Sequence, residues 1–232
     1  MNSSAYLERR GELQLYFDRT AASAWERLTS DAPVSRIRAT VRAGRNRMRQ
    51  LMLDLLPLGM RERRVLDAGC GTGALAQEVA ARGASVVAID LSPTLIQLAQ
   101  EREAAAGERS VEFRVGDMCE KALGEFDHVL AMDSLIHYQV EDMVRVLAEW
   151  APRTRSSIVF TFAPRTPALA VMHSVGKLFP RADRAPAIAP VAEDRLRACI
   201  ARTPQLSTFS VGRSERVASG FYTSHVMELV RR

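Results

Sequence analysis

Four acids stand at the ends of short apolar runs: Asp67, Asp90, Asp117 and Asp133. One residue beyond Asp67 begins Gly69-Cys70-Gly71-Thr72-Gly73, a turn in which glycine lets the backbone approach a ligand and adopt positive φ. Gly69, Gly71 and Ala74 fit the loose fingerprint G-x-G-x-x-G/A, which places a pyrophosphate on a helix N-terminus. Asp67 pulls the other way: an acid two residues before the first glycine opposes a pyrophosphate but suits a ligand that carries an ammonium group. Asp90, about 20 residues beyond the loop, is placed to accept both hydroxyls of a ribose and fits either kind of ligand. Beyond Asp133 comes Ser134-Leu135-Ile136-His137-Tyr138, which brings an imidazole to the same edge.

The elements that must position these groups alternate strand and helix. Arg64 to Ala68, Ser85 to Ile89, Val111 to Val115, Phe126 to Met132 and Ser156 to Phe162 have strand character. Ala74 to Arg82 and Val140 to Trp150 carry apolar residues at helical spacing, and Ser92 with Pro93 opens another helix. Val191 to Ala201 reads as a further helix, and Leu206 to Val211 with Phe221 to Val230 as a closing antiparallel pair. An open sheet of this kind binds ligands at the carboxyl ends of its strands. Ahead of it, Val34 to Leu56 predicts a helix with Val34, Ile37, Val41, Met48, Leu51, Met52 and Leu55 mostly on one face and arginines on the other, capped by Ser30 or Asp31. Residues 163–190 hold five prolines around an apolar piece, Ala168 to Phe179, too apolar for a freely solvated loop.

The run Asp67 to Gly73 resembles motif I of the class I methyltransferases that use S-adenosylmethionine (SAM), and Asp90 and Gly116-Asp117-Met118 follow in the order of that superfamily. The resemblance implies an α/β, Rossmann-like fold: a mostly parallel seven-stranded sheet with helices on both faces and a closing antiparallel strand. Over residues 61–232 this would be the SAM-dependent methyltransferase domain, with 1–60 a helical lid and 163–190 an insertion covering the substrate. It implies a cofactor shell of Asp67, Gly69, Cys70, Gly71, Gly73, Asp90, Leu91, Asp117, Met118 and Met132, with Asp117 on the adenine amino group and Met118 on its ring. The edge after the fourth strand lacks the Pro-Pro-aromatic run of amino-directed DNA methyltransferases, and no cysteine lies beside a proline as in the pyrimidine C5 enzymes. Both absences count against nucleic acid.

More narrowly, Tyr16-Phe17-Asp18-Arg19-Thr20 with Trp25, Met132 to Tyr138, Gly176 to Arg181 and Ser219-Gly220-Phe221-Tyr222 resemble the magnesium-protoporphyrin IX O-methyltransferases of bacteriochlorophyll synthesis. That family would transfer the SAM methyl to one propionate of the porphyrin. His137 would then bond the propionate or offer its imidazole to the substrate's Mg²⁺, the first being favoured because Mg²⁺ prefers oxygen ligands. Tyr16 would close over the cofactor, or simply pack in the core. The resemblance also implies docking to the porphyrin-binding subunit of the magnesium chelatase, and a cytoplasmic place near pigment-synthesising membranes. Competing readings are an O-methyltransferase for another lipophilic acid or phenol, such as a quinone precursor, and a SAM-binding protein that uses its basic N-terminal helices on RNA.

Composition bounds these readings. The 232 residues are 47% hydrophobic and 25% charged, enough for one α/β core with additions. Of the formal charge of +5, the N-terminal 64 residues supply the whole excess, thirteen Arg against seven Asp plus Glu. Cys70, Cys119 and Cys199 are far apart and not spaced as metal ligands, which points to a reducing compartment and no resident metal. No run approaches the roughly 18 apolar residues of a spanning helix, so the chain is expected to be soluble or at most peripheral.

Overall fold

The computed structural model describes residues 4–18, 36–107, 111–165 and 188–232. Seven strands form one sheet: β1 (Arg64–Ala68), β2 (Ser85–Asp90), β3 (Val111–Val115), β4 (Phe126–Ala131), β5 (Thr154–Phe162), β6 (Phe209–Ser219) and β7 (Tyr222–Arg231). Their order is β3-β2-β1-β4-β5-β7-β6. The first five are parallel, β7 runs antiparallel beside β5, and β6 pairs antiparallel with β7. This is the expected sheet, with the closing strand β7 inserted between β5 and β6.

Burial on both faces follows from the pleat, because alternate residues point to opposite sides. Leu66, Ala68, Val87, Ile89, Val129, Phe160 and Phe162 face one apolar cluster, which α5 (Val140–Trp150) and α6 (Glu193–Ala201) complete with Met143, Leu147, Trp150 and Leu196. Val65, Val86, Ala88, Leu130 and Val159 face the other, closed by α2 (Arg36–Asp54) and α3 (Ala74–Ala81) through Met48, Met52, Leu75 and Val79. The remaining α-helices among the described residues are α1 (Ser4–Tyr16) and α4 (Pro93–Ala105). Ser92 caps α4 as expected: its Oγ accepts the Leu95 N–H at 3.2 Å and Pro93 takes the first helical position.

Two expectations need correction. Helix α2 is described over Arg36–Asp54, and Ile37, assigned to its apolar face, is 54% exposed. Its buried stripe begins at Gly44 and Met48, where it meets the sheet. Strand β6 lies further along than Leu206 to Val211: Leu206 belongs to a 3-10 turn, and the strand runs to Ser219. Gly212 sits in a bulge where the register shifts between Val211 and Ser214. Glu228 accepts the Arg213 N–H there, so pairing resumes.

Of the insertion, 166–187 lie outside the described residues, as do Thr20, Trp25, Gly176 to Arg181 and the capping candidates Ser30 and Asp31. Its two flanks are fixed together. Val191 N–H donates to Ala163 O at 2.8 Å, Arg165 N–H to Val191 O at 2.9 Å, and Ala189 N–H to Ile136 O at 2.8 Å, one residue from His137.

Candidate active site

Where β1 ends, the chain turns through Gly69 (φ 78) and Gly71 (φ 56) into α3. A Cβ on Gly69 would fall 2.4 Å from that of Ser134, so only glycine lets this loop lie against the β4 edge. Gly71 differs: nothing lies within 4 Å of where its Cβ would be, because that side opens on a cavity. Asp90 holds the loop in place, accepting the Gly71 N–H at 2.9 Å and the Ser92 N–H at 3.0 Å.

The cavity has a volume of about 230 Å³. Asp67, Gly69, Cys70, Gly71, Asp90, Leu91, Asp117, Met118, Met132 and His137 all line it, so ten of the twelve expected site residues converge on one space. Gly73 stands behind it as the left-handed N-cap of α3, against the Phe113 ring. Tyr16 also does not line it. It packs edge-on against Phe17, which does, and the Phe17 ring lies 6.2 Å from that of His137.

Asp67 is 1% exposed, and its Oδ2 has no hydrogen-bond partner among the described residues. Burial, and then the neighbouring Asp90, push its carboxyl up to about 7, against a backbone hydrogen bond from Ala76 that favours the charge. A buried acceptor left open in this way fits a ligand ammonium. Burial also raises Asp90, whose oxygens already take backbone N–H groups. The Cys70 thiol is pushed up by burial and by Asp67 and Asp90, so it is no nucleophile.

Beyond β4, Asp133 adopts φ 54, a left-handed conformation that aspartate tolerates better than most residues. Its N–H donates to Thr161 Oγ1 at 2.7 Å, and the single 3-10 turn Leu135–His137 follows, burying His137 at the cavity wall. Tyr222 donates to Asp133 at 3.1 Å, Ser224 at 3.3 Å, and Arg45 of α2 pairs with it at 2.7 Å. Tyr222 reaches Asp133 by crossing α2 at Gly44, where a Cβ would lie 2.5 Å from the ring. Burial, followed by the Asp133 charge, keeps the Tyr222 hydroxyl protonated.

Several wall residues were not foreseen. Tyr6 of α1 donates to Asp117 Oδ1 at 3.0 Å and stacks on Tyr138, while Arg10 pairs with Asp117 Oδ2 at 2.7 Å. Asp117 also accepts the Cys119 N–H at 2.8 Å. Nothing local marks Tyr6 or Arg10 for this task. Arg42, Arg45 and Arg49 of α2 also line the cavity, and their recurrence every three to four residues on the arginine face of that helix was the available signal.

Residues 65–156 match the family described as methyltransferase domain, and residues 131–231 match the magnesium-protoporphyrin IX methyltransferase C-terminus. The chain is 49% identical to the magnesium-protoporphyrin O-methyltransferase of Rhodobacter capsulatus, over 97% of this chain and 98% of that one. It belongs to the magnesium-protoporphyrin O-methyltransferase family. A solved member of this family, the magnesium protoporphyrin IX methyltransferase of Synechocystis PCC 6803 with bound SAH, superposes with a TM-score of 0.80 at 27% identity, covering 96% of this chain and all of that one. A ubiquinone biosynthesis O-methyltransferase of Xanthomonas axonopodis is also similar, 31% identical over 76% of this chain and 72% of its own length. The family's cofactor is SAM, and the Gly71 cradle with the open Asp67 oxygen fits it.

Proposed function

We propose that this chain transfers the methyl group of SAM to a propionate carboxylate of magnesium-protoporphyrin IX and releases the monomethyl ester. The observation that carries the reading is the convergence of the cofactor loop and His137 on one cavity, in a chain 49% identical over nearly its whole length to a member of that family. When bound, SAM supplies an electrophilic methyl on a sulfonium sulfur. Asp67 takes its ammonium, Asp90 the ribose hydroxyls, and Asp117 with Met118 the adenine. Leu91 and Met132 give apolar contact.

A propionate has a pKa near that of Glu, about 4.3, so it is ionised at pH 7 and needs no general base. The work left for the protein is alignment and exclusion of water. His137 bonds the propionate and fixes its rotamer. Phe17 closes the wall beside it, and Tyr16 braces Phe17. The insertion, whose flanks meet beside Ile136, supplies the roof.

Docking to the porphyrin-binding subunit of the magnesium chelatase is part of the same reading, since it would hand over a poorly soluble substrate directly. So is a cytoplasmic position, peripheral to the membrane; among the described residues no helix is long and apolar enough to cross one. The test is to incubate the purified protein with SAM and either magnesium-protoporphyrin or metal-free protoporphyrin, then separate the pigments. A monomethyl ester from the magnesium form is expected. No ester from either, with SAH still bound, would leave the cofactor reading and discard the substrate, turning attention to quinone precursors.

A further inference from the structure

The cavity is divided by charge. Its four acids, Asp67, Asp90, Asp117 and Asp133, all come from the carboxyl edge of the sheet, while its three arginines, Arg42, Arg45 and Arg49, all come from α2. The acidic wall suits the amine and hydroxyl groups of the cofactor. The carboxylates of that wall repel an anion and His137 is committed to the reacting propionate, yet a porphyrin with two propionates brings a second carboxylate that does not react. Burying that carboxylate unpaired is strongly unfavourable, because a desolvated charge needs a partner.

Resting on the function proposed above, we infer that Arg42 and Arg45 bind the non-reacting propionate of the substrate. They stand one turn apart on the same helix, so two guanidinium groups can reach one carboxylate and offer paired N–H donors. Arg45 is pre-set for this. Its Nη1 is fixed at 2.7 Å from Asp133, which Tyr222 and Ser224 hold in turn, and a guanidinium has further donors to give. Arg49 is turned toward α3 by Glu78, 2.5 Å away. A guanidinium on the reacting oxygen would draw charge from it and weaken its attack on the sulfonium. The arginines therefore serve the spectator carboxylate, while His137 takes the reactive one. In consequence α2 selects a dicarboxylate over a monocarboxylate of the same shape.

SAM also carries a carboxylate, and the test must separate the two sources. Magnesium-protoporphyrin, its monomethyl ester and its dimethyl ester are titrated by Soret shift against the intact protein and the variants Arg42→Gln, Arg42→Lys and Arg47→Gln, with SAH affinity measured in parallel. Arg47 is exposed and lies off the cavity, so its variant controls for net charge. Arg42→Gln is expected to weaken the diacid and the monoester about 10- to 100-fold, the loss of a charge-assisted hydrogen bond, and to leave the dimethyl ester and SAH within about twofold. Arg42→Lys should recover part of the loss, and Arg47→Gln should bind all three porphyrins and SAH as the intact protein does. An equal loss for the dimethyl ester would overturn the inference in favour of packing, and a loss confined to SAH would assign the arginine to the cofactor. If the intact protein bound no porphyrin at all, the proposed function itself would fall, which is a separate result.

Discussion

The two walls of the cavity are built at different ranges. At the glycine loop the groups that matter are set within a short span of sequence: Asp90 fixes Ser92, two residues on, and Gly71, nineteen back. On the helical side the fixing bonds join distant parts of the chain, Tyr6 to Asp117 across 111 residues, Arg10 to Asp117 across 107 and Arg45 to Asp133 across 88. A loop pinned by backbone N–H groups is set once its strands pair. A helix tied down by a few ion pairs and hydroxyls can be loosened by one substitution. The cofactor half is thus part of the sheet, whereas the substrate half is an attachment to it.

Substitutions can break that division, and the largest effect is expected at Gly69. Gly69→Ala places a Cβ against Ser134 at a positive φ, and SAH affinity should fall by about 100-fold or more, with a lower melting temperature. Porphyrin binding without SAH should fall far less; equal losses would show that the two halves are one unit.

Asp67→Asn should cost about tenfold in SAM affinity at pH 7.5. Between pH 6 and 7.5 the intact protein should bind SAM more tightly as pH rises, since its carboxyl, pushed up to about 7, must ionise to meet the ammonium. That slope should vanish in the variant. Stability runs the opposite way. A carboxyl raised on folding contributes stability that is full near pH 4 and lost as pH climbs through about 7, so Asp67→Asn should melt higher at pH 8, by on the order of 2 kcal/mol, and differ little at pH 4. Calorimetry at both pH values with titration of SAH checks the pair; a variant that keeps the pH slope would release Asp67 from the ammonium.

A smaller effect is expected at Tyr222→Phe, which removes the hydroxyl that steadies Asp133 and, through it, Arg45. The KM for magnesium-protoporphyrin should rise about fivefold, one hydrogen bond's worth, with SAH affinity unchanged. Weakened SAH binding instead would move the Asp133 cluster into the cofactor half.

The same difference in range explains what could be read in advance. β1, β3 and α5 have the bounds that their residue patterns indicate, because short β-branched runs and a helix with one apolar stripe announce themselves locally. The glycine loop and Asp67, Asp90 and Asp117 were legible for the same reason. Tyr6 and Arg10 were not: their partner lies more than a hundred residues away, and α1 carries no pattern that names it. Tyr16 drew attention as an aromatic, yet its neighbour Phe17 is the one that meets the cavity. Asp133 was visible as an acid after a strand, but its left-handed turn depends on Thr161, Tyr222 and Ser224, which only the closed sheet brings together.

The account rests most heavily on His137 as the group that aligns the reacting carboxylate. Single-turnover methyl transfer from SAM to magnesium-protoporphyrin, both saturating, measured for the intact protein and for His137→Ala beside an SAH titration, tests it directly. The prediction is a rate about 100-fold lower in the variant with SAH affinity within about twofold, the signature of lost alignment with the cofactor half intact. An unchanged rate would take His137 out of the mechanism, and a loss of SAH affinity equal to the loss of rate would place it in the cofactor half.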